Sequence, residues 1–165
     1  MTVLEELQPN QVVLGERNYE AATALILGQA RRELRIFDPD LGRGGYQSLK
    51  VHDVLKQFLS ADRQNRLTII MHDSRFLTSQ CPRLVNLFRQ YAHAMTIGLT
   101  EGRAQVAQDA FVLADDAHYL HRFHVDHARF KYRLDDKIAA KPLHERFGQL
   151  LEASPVRLSA VSLGL

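Results

Sequence analysis

HYLHRFHVDHARFKYRLDD, residues 118–136, sets His118, His121, His124 and His127 three apart, and whether it forms a helix or a strand decides the fold around it. In a strand, successive side chains alternate between two faces. Ala117, Tyr119, His121, Phe123 and Val125 then share one side, mostly apolar, while His118, Leu120, Arg122, His124 and Asp126 take the other, mostly polar. In a helix, Tyr119, Leu120, Phe123 and Val125 scatter around the axis and make no dry stripe. Residues 117–125 are therefore read as a strand, and Asp126 to Ala140 as a long polar connection.

The strand reading also removes an apparent metal site. His118 and His124 share a face but lie roughly 20 Å apart at about 3.3 Å per residue, whereas Zn–N bonds of about 2.1 Å need ligands that converge. No metal and no other cofactor is expected. Anions suit the stretch better, because between His118 and Arg133 the cations Arg122, Arg129, Lys131 and Arg133 are opposed only by Asp126. Arg122 and His124 are same-face neighbours, and residues 129, 131 and 133 alternate with Phe130 and Tyr132, a composition that tracks phosphates and stacks bases. Arg122, His124, Arg129, Lys131 and Arg133 are thus the expected anion-binding set, for a phosphate-containing ligand or nucleic acid. The same residues equally describe a basic edge strand kept soluble by its charge.

Working outward, short runs rich in large apolar and β-branched residues predict strands at Leu34–Phe37, Leu67–Met71, Met95–Leu99 and Phe111–Ala114, with a last one at Val156–Val161. Between them, apolar residues recur at helical spacing. One helix is predicted over Tyr19–Arg31. A second carries Val51, Val54, Leu55, Phe58 and Leu59 behind the N-cap candidate Ser48, and a third Leu84, Leu87, Phe88 and Tyr91 behind Pro82. A fourth, with Leu143, Phe147, Leu150 and Leu151, is predicted to begin after Pro142 and end before Ser154-Pro155. Alternating strands and helices predict an α/β domain over residues 1–165, with a mixed, mostly parallel sheet covered on both faces and antiparallel pairing near 110–125.

The chain has 165 residues, 45% of them hydrophobic and 24% charged, enough for one core, and its formal charge of +2 confines any anion affinity to a local cluster. No apolar run is long enough to span a bilayer. MTVLEELQPN carries acidic residues where a secretory leader carries basic ones, so a cytoplasmic location without membrane contact is expected. Cys81 is the only cysteine, which excludes an internal disulfide and dithiol redox chemistry. Near a helix N-terminus its thiol pKa would be lowered, with simple packing as the alternative.

Ligands of open α/β sheets bind beyond the carboxyl ends of the strands, and two such ends are polar here. Asp38-Pro39-Asp40-Leu41-Gly42-Arg43-Gly44-Gly45 leads to Ser48. It lacks nucleotide-binding glycine spacing, but Arg43 beside a helix start suits a simple anion, and a mobile surface loop is the alternative. The second end is Met71-His72-Asp73-Ser74-Arg75. Convergence of His72 and Asp73 with Asp38 and Asp40 would supply the general acid and base of a phosphodiesterase or other hydrolase. Turn and capping roles for Asp73 and Ser74 are the alternative.

QDAFVLADDAHYLHRF, followed by a polar connection and PLHERFGQLLEAS, resembles one half of the phospholipase D superfamily over roughly residues 20–155. In that family a strand carrying H-x-K-x4-D precedes a strand ending in a Gly-Ser and Asn segment. With the family's aspartate on Asp109, Gly102 stands for the catalytic histidine and Ala104 for the lysine; a shift by one gives Arg103 and Gln105. Ala114-Asp115 replaces the Gly-Ser pair. The closing FGQLLEASPVRLSAVSLGL is also similar to the C-terminus of bacterial proteins of this architecture. The resemblance implies a phospholipase D-like fold that has lost its phosphodiester chemistry, a pseudoenzyme acting as a binding or interaction module. It also implies a homodimer, since single-motif members pair two chains.

Overall fold

A computed structural model describes residues 7–161; the outermost parts of MTVLEELQPN and of the closing segment lie outside the described residues. The strands are β1 (Val13–Leu14), β2 (Glu33–Phe37), β3 (Arg66–Met71), β4 (Met95–Leu99), β5 (Ala110–Ala114), β6 (His118–His124), β7 (His127–Arg133) and β8 (Val156–Arg157). The helices are α1 (Glu16–Gln29), α2 (Leu49–Ala61), α3 (Arg75–Gln80), α4 (Pro82–Gln90) and α5 (Lys137–Glu152). The strands form one sheet in the order β1-β7-β6-β5-β2-β3-β4-β8.

The fold is mixed α/β, as expected, but the sheet is mostly antiparallel. Only β2–β3 and β3–β4 run parallel, while β1–β7, β7–β6, β6–β5, β5–β2 and β4–β8 are antiparallel. The reason lies in the connections. A helical crossover keeps two strands parallel, whereas β5, β6 and β7 follow one another through tight turns that only antiparallel strands can close. Asp115, at φ 53°, makes the first of these turns, and Val125-Asp126 the second. The predicted polar connection from Asp126 is therefore largely strand β7, whose alternating buried Phe130 and Tyr132 give it a dry side.

Helices cover both faces, because β strands of this sheet carry apolar residues on both sides. Leu34, Ile36, Ile69, Val112, Leu120 and Phe130 pack in one core cluster with α1, α2 and α4. Phe37, Ile70, Phe111, Leu113 and Tyr119 pack on the other side against Ala140, Leu143, Phe147 and Leu150 of α5. Ser48 caps α2 by accepting from the Val51 amide at 3.2 Å, and Pro82 opens α4. Helix α5 starts five residues before Pro142, with Asp136 as N-cap accepting from the Ala139 amide at 2.9 Å. Proline there forfeits only the bond to the carbonyl of Ile138, a residue on the exposed side of the first turn.

The face assignment of β6 is reversed relative to its polarity. Leu120 and Arg122 point into the main core, both fully buried, while Phe123 on the nominally apolar side is 40% exposed. The cause is the neighbouring coverage: α1 packs over β5, β6 and β7 on one side, whereas α5 reaches only β5 and part of β6 on the other.

Candidate functional site

The sheet separates the carboxylate from the imidazole expected to work together. Asp38 follows Phe37 and turns to the α1 side, whereas His72 lies on the α5 side with its ring edge against Phe37 at 5.4 Å. Asp38 is buried, and its Oδ1 accepts from the amides of Asp40 and Leu41 at 3.1 and 2.8 Å. Its Oδ2 has no partner. Burial pushes its pKa up to about 6, against the pull of those two amides. His72 Nδ1 lies 2.6 Å from the Thr100 hydroxyl and Nε2 lies 2.7 Å from the Ala107 carbonyl, which leaves no ring nitrogen free for proton transfer. Asp73 accepts from the Arg75 amide and guanidinium at 2.8 and 2.5 Å, and this pairing lowers its pKa. Asp73 thus serves the turn into α3, and Asp38, His72 and Asp73 form no joint acid–base site.

The glycine-rich loop after β2 is folded onto α1 rather than standing free. Leu41 and Tyr46 are buried, and a Cβ on Gly44 (φ +92°) would meet Tyr46, Thr23 and Tyr19 at 3.1–3.3 Å. Arg43 reaches Asp40 at 3.5 Å and Asp126 at 3.4 Å, tying the loop to the β6–β7 turn. Cys81 does precede α4, but it is buried, and burial pushes its thiol up to about 11 instead of lowering it.

Arg122 is a core cation, not an exposed anion ligand. Its guanidinium donates to both Glu16 oxygens at 2.5 and 2.9 Å, to the His124 carbonyl at 3.1 Å and to the Val125 carbonyl at 2.7 Å. It also lies 4.8 Å over the Tyr19 ring. Burial disfavours the charge, and the bond to Glu16 overcomes this and raises the pKa. A fully buried guanidinium persists only with such complete pairing. His124 is half-exposed, accepts from the Asp126 amide at 3.1 Å and lies tilted against the His127 ring at 5.5 Å.

Three of the predicted anion ligands do share a face. Residues 129, 131 and 133 point away from buried Phe130 and Tyr132, so these aromatics are core and not stacking surfaces. Arg133 is held by Asp136 and Asn10, both at 2.7 Å. Arg129 and Lys131 are left without an ion pair among the described residues. Lys131 lies opposite His121 on β6, and Arg129 opposite Leu14 on β1. Leu14 is 62% and Phe123 40% exposed on this same face.

Arg146 and the contacts that organise this face were missed by sequence reasoning, which placed Asp109 only in the family's motif. Asp109 accepts from His121 Nε2 at 2.8 Å and from both ends of the Arg146 guanidinium, which lies over the rings of Phe111 and Phe37 at 5.4 and 5.9 Å. Burial alone would raise the Asp109 carboxyl, but bonding to Arg146 and His121 wins and holds it well below the usual carboxylate range. The one legible signal was the alternation that puts His121 beside Phe123; Arg146 is 37 residues from Asp109 and no local pattern joins them. A cavity of about 880 Å³ opens at the C-terminal ends of α1 and α2, lined among others by Arg31, Arg32, Asn65 and His118.

Residues 15–158 match the model of a family described as Domain of unknown function (DUF7931). The chain belongs to this family. No curated protein sequence matches it. Among solved structures it is similar to TrmBL2, an archaeal chromatin protein that shows a novel mode of DNA binding, with TM-score 0.65 and 13% identity over 92% of this chain. The match spans only 55% of TrmBL2. It is also similar to Nuc, a phospholipase D family member from Salmonella typhimurium, with TM-score 0.61 and 8% identity over 87% of this chain and 94% of Nuc. NucT from Helicobacter pylori gives TM-score 0.60 and 12% identity over 94% of this chain and 98% of NucT. At these identities the likeness is one of fold, and that fold is the phospholipase D type expected from the sequence. No helix among the described residues of this DUF7931 chain is long and apolar enough to cross a membrane.

The strand at the motif's place is β5, which alters the register tried on Asp109. Residues 102–106 form a 3₁₀ turn instead of a strand. An H-x-K-x4-D pattern laid along β5 ends on Asp115 and puts Gln108 at the histidine and Ala110 at the lysine. Asp115 itself accepts from the amides of Arg31, Arg32 and Glu33 at 2.8–3.1 Å, a structural task.

Proposed function

We propose that this DUF7931 chain is a phospholipase D-fold binding module without phosphodiester cleavage, and that it holds a phosphate-containing polyanion on the outer face of β6–β7. The observation that carries the reading is the pair Arg129 and Lys131, two cations on one face with no ion pair among the described residues, on a chain whose formal charge is only +2. Charges left unpaired in this way are available to phosphates, and release of counterions drives such binding. The absence of the superfamily's imidazole and ammonium in every register of the motif supports binding over turnover. The DNA-binding character of TrmBL2, similar in fold, is consistent with a polyanionic ligand. A homodimer in the bacterial cytoplasm completes the proposal, the dimer resting on the superfamily's habit of pairing single-motif chains.

Fluorescence anisotropy with labelled polyphosphate and with a labelled single-stranded oligonucleotide tests it. Affinity is expected to fall with rising salt, and an Arg129→Ala/Lys131→Ala variant to lose roughly one to two units of the log–log salt slope, about 0.7 per phosphate contact. Equal binding by parent and variant at low salt would overturn the reading.

A further inference from the structure

The same open face carries an aromatic surface held in a fixed orientation. Phe123 is 40% exposed, and His121 packs edge-to-face against its ring at a centroid distance of 5.3 Å and an angle of 80°. His121 is itself fixed by Asp109 at 2.8 Å, and Asp109 is gripped by Arg146 from α5. Here a chain of polar contacts running from a helix across two strands keeps it in place beside the two unpaired cations. Lys131 faces His121 across the β6–β7 ladder, Arg129 lies at the bulge beside Phe123, and Leu14 extends the apolar strip on β1. We infer that this face binds single-stranded nucleic acid, with one base stacked on Phe123 and the adjoining phosphates on Arg129 and Lys131. The inference rests on the polyanion reading above and narrows it.

A single strand is favoured over a duplex because only unpaired bases offer a free π-face to a flat sheet, and stacking of this kind tolerates any base. Free polyphosphate would use the cations and leave Phe123 idle. An anionic lipid surface would use cations and apolar groups alike, but it gains nothing from a ring whose orientation is fixed by the Asp109–His121 pairing. The face therefore combines the two elements a single strand requires, a backbone charge track and a stacking platform.

The test uses the full chain with a 12-nucleotide single strand bearing one 2-aminopurine, its duplex, and phosphatidylserine-containing vesicles. The parent should bind the single strand more tightly than the duplex and quench 2-aminopurine emission. Phe123→Ala should weaken single-strand binding by about 5- to 150-fold, the contribution of one stacked base, and abolish the quenching, while Phe123→Tyr restores both. Unchanged melting of Phe123→Ala establishes that the variant is folded. Equal affinity of Phe123→Ala and parent, equal affinity for duplex, or binding to vesicles without binding to the oligonucleotide would each overturn the inference. If Phe123→Ala binds normally while Arg129→Ala/Lys131→Ala does not, the polyanion reading survives alone; if neither variant weakens binding, both fall.

Discussion

Asp38 shows how far one residue's role departs from its residue type. A carboxylate at the end of a strand reads as an acid–base candidate, yet burial and the absence of any partner for Oδ2 give it a structural and pH-dependent character instead. With its pKa raised to about 6, the folded protein holds a proton that the unfolded chain releases near pH 4. Stability from this group is therefore complete at low pH and declines as pH rises from about 4 to 6. Asp38→Asn keeps an oxygen for the Asp40 and Leu41 amides without the charge. The variant should exceed the parent in stability at pH 7 by on the order of 2–3 kcal/mol, with the difference vanishing near pH 4, as denaturant melts across pH will read. Asp109 has the opposite sign: its lowered pKa makes its contribution present above about pH 4 and lost only in stronger acid.

At the scale of the element, β7 concentrates what was and was not legible. The alternation of charged and aromatic residues from 129 to 133 was visible, but without the partner strands it read as a loop, because the pairing that makes a strand is supplied by β6 and β1, from Arg122 opposite Phe130 to Val13 opposite the same residue. Neighbouring residues in β7 are now expected to behave very differently. Phe130→Ala should cost about 3–5 kcal/mol of stability, as for other buried aromatic truncations, while Arg129→Ala should stay within about 0.5 kcal/mol. Urea unfolding of the two variants reads the contrast, and similar costs would mean that the face assignment is wrong. The strands β2 to β5 and the caps of α2 and α4 were legible because their signals are local. Pro142 misled for α5, since a proline in the second turn of a helix costs a single bond, here that to the carbonyl of exposed Ile138. The burial of Arg122 was illegible for another reason: its partner Glu16 lies 106 residues away, on a helix whose placement over β6 no periodicity announces.

For the whole molecule, the sheet acts as a partition. On the α1 side, Arg122 pairs with Glu16 and lies over the Tyr19 ring, and Asp38 is bound by the amides of its own loop. On the α5 side, coverage stops at β6 and leaves His121, Phe123, Arg129 and Lys131 on an open surface. The fold is of the phospholipase D type, with Ala110 of β5 paired to the buried Arg122 of β6. Amide chemical-shift mapping by ¹H–¹⁵N NMR during titration with a single-stranded oligonucleotide tests this division most directly. Perturbations confined to Leu14, His121, Phe123 and residues 129–131, fading as salt is raised, are the predicted result. Perturbations centred on Asp38, His72 and Arg122, with the β7 face unmoved, would contradict the account.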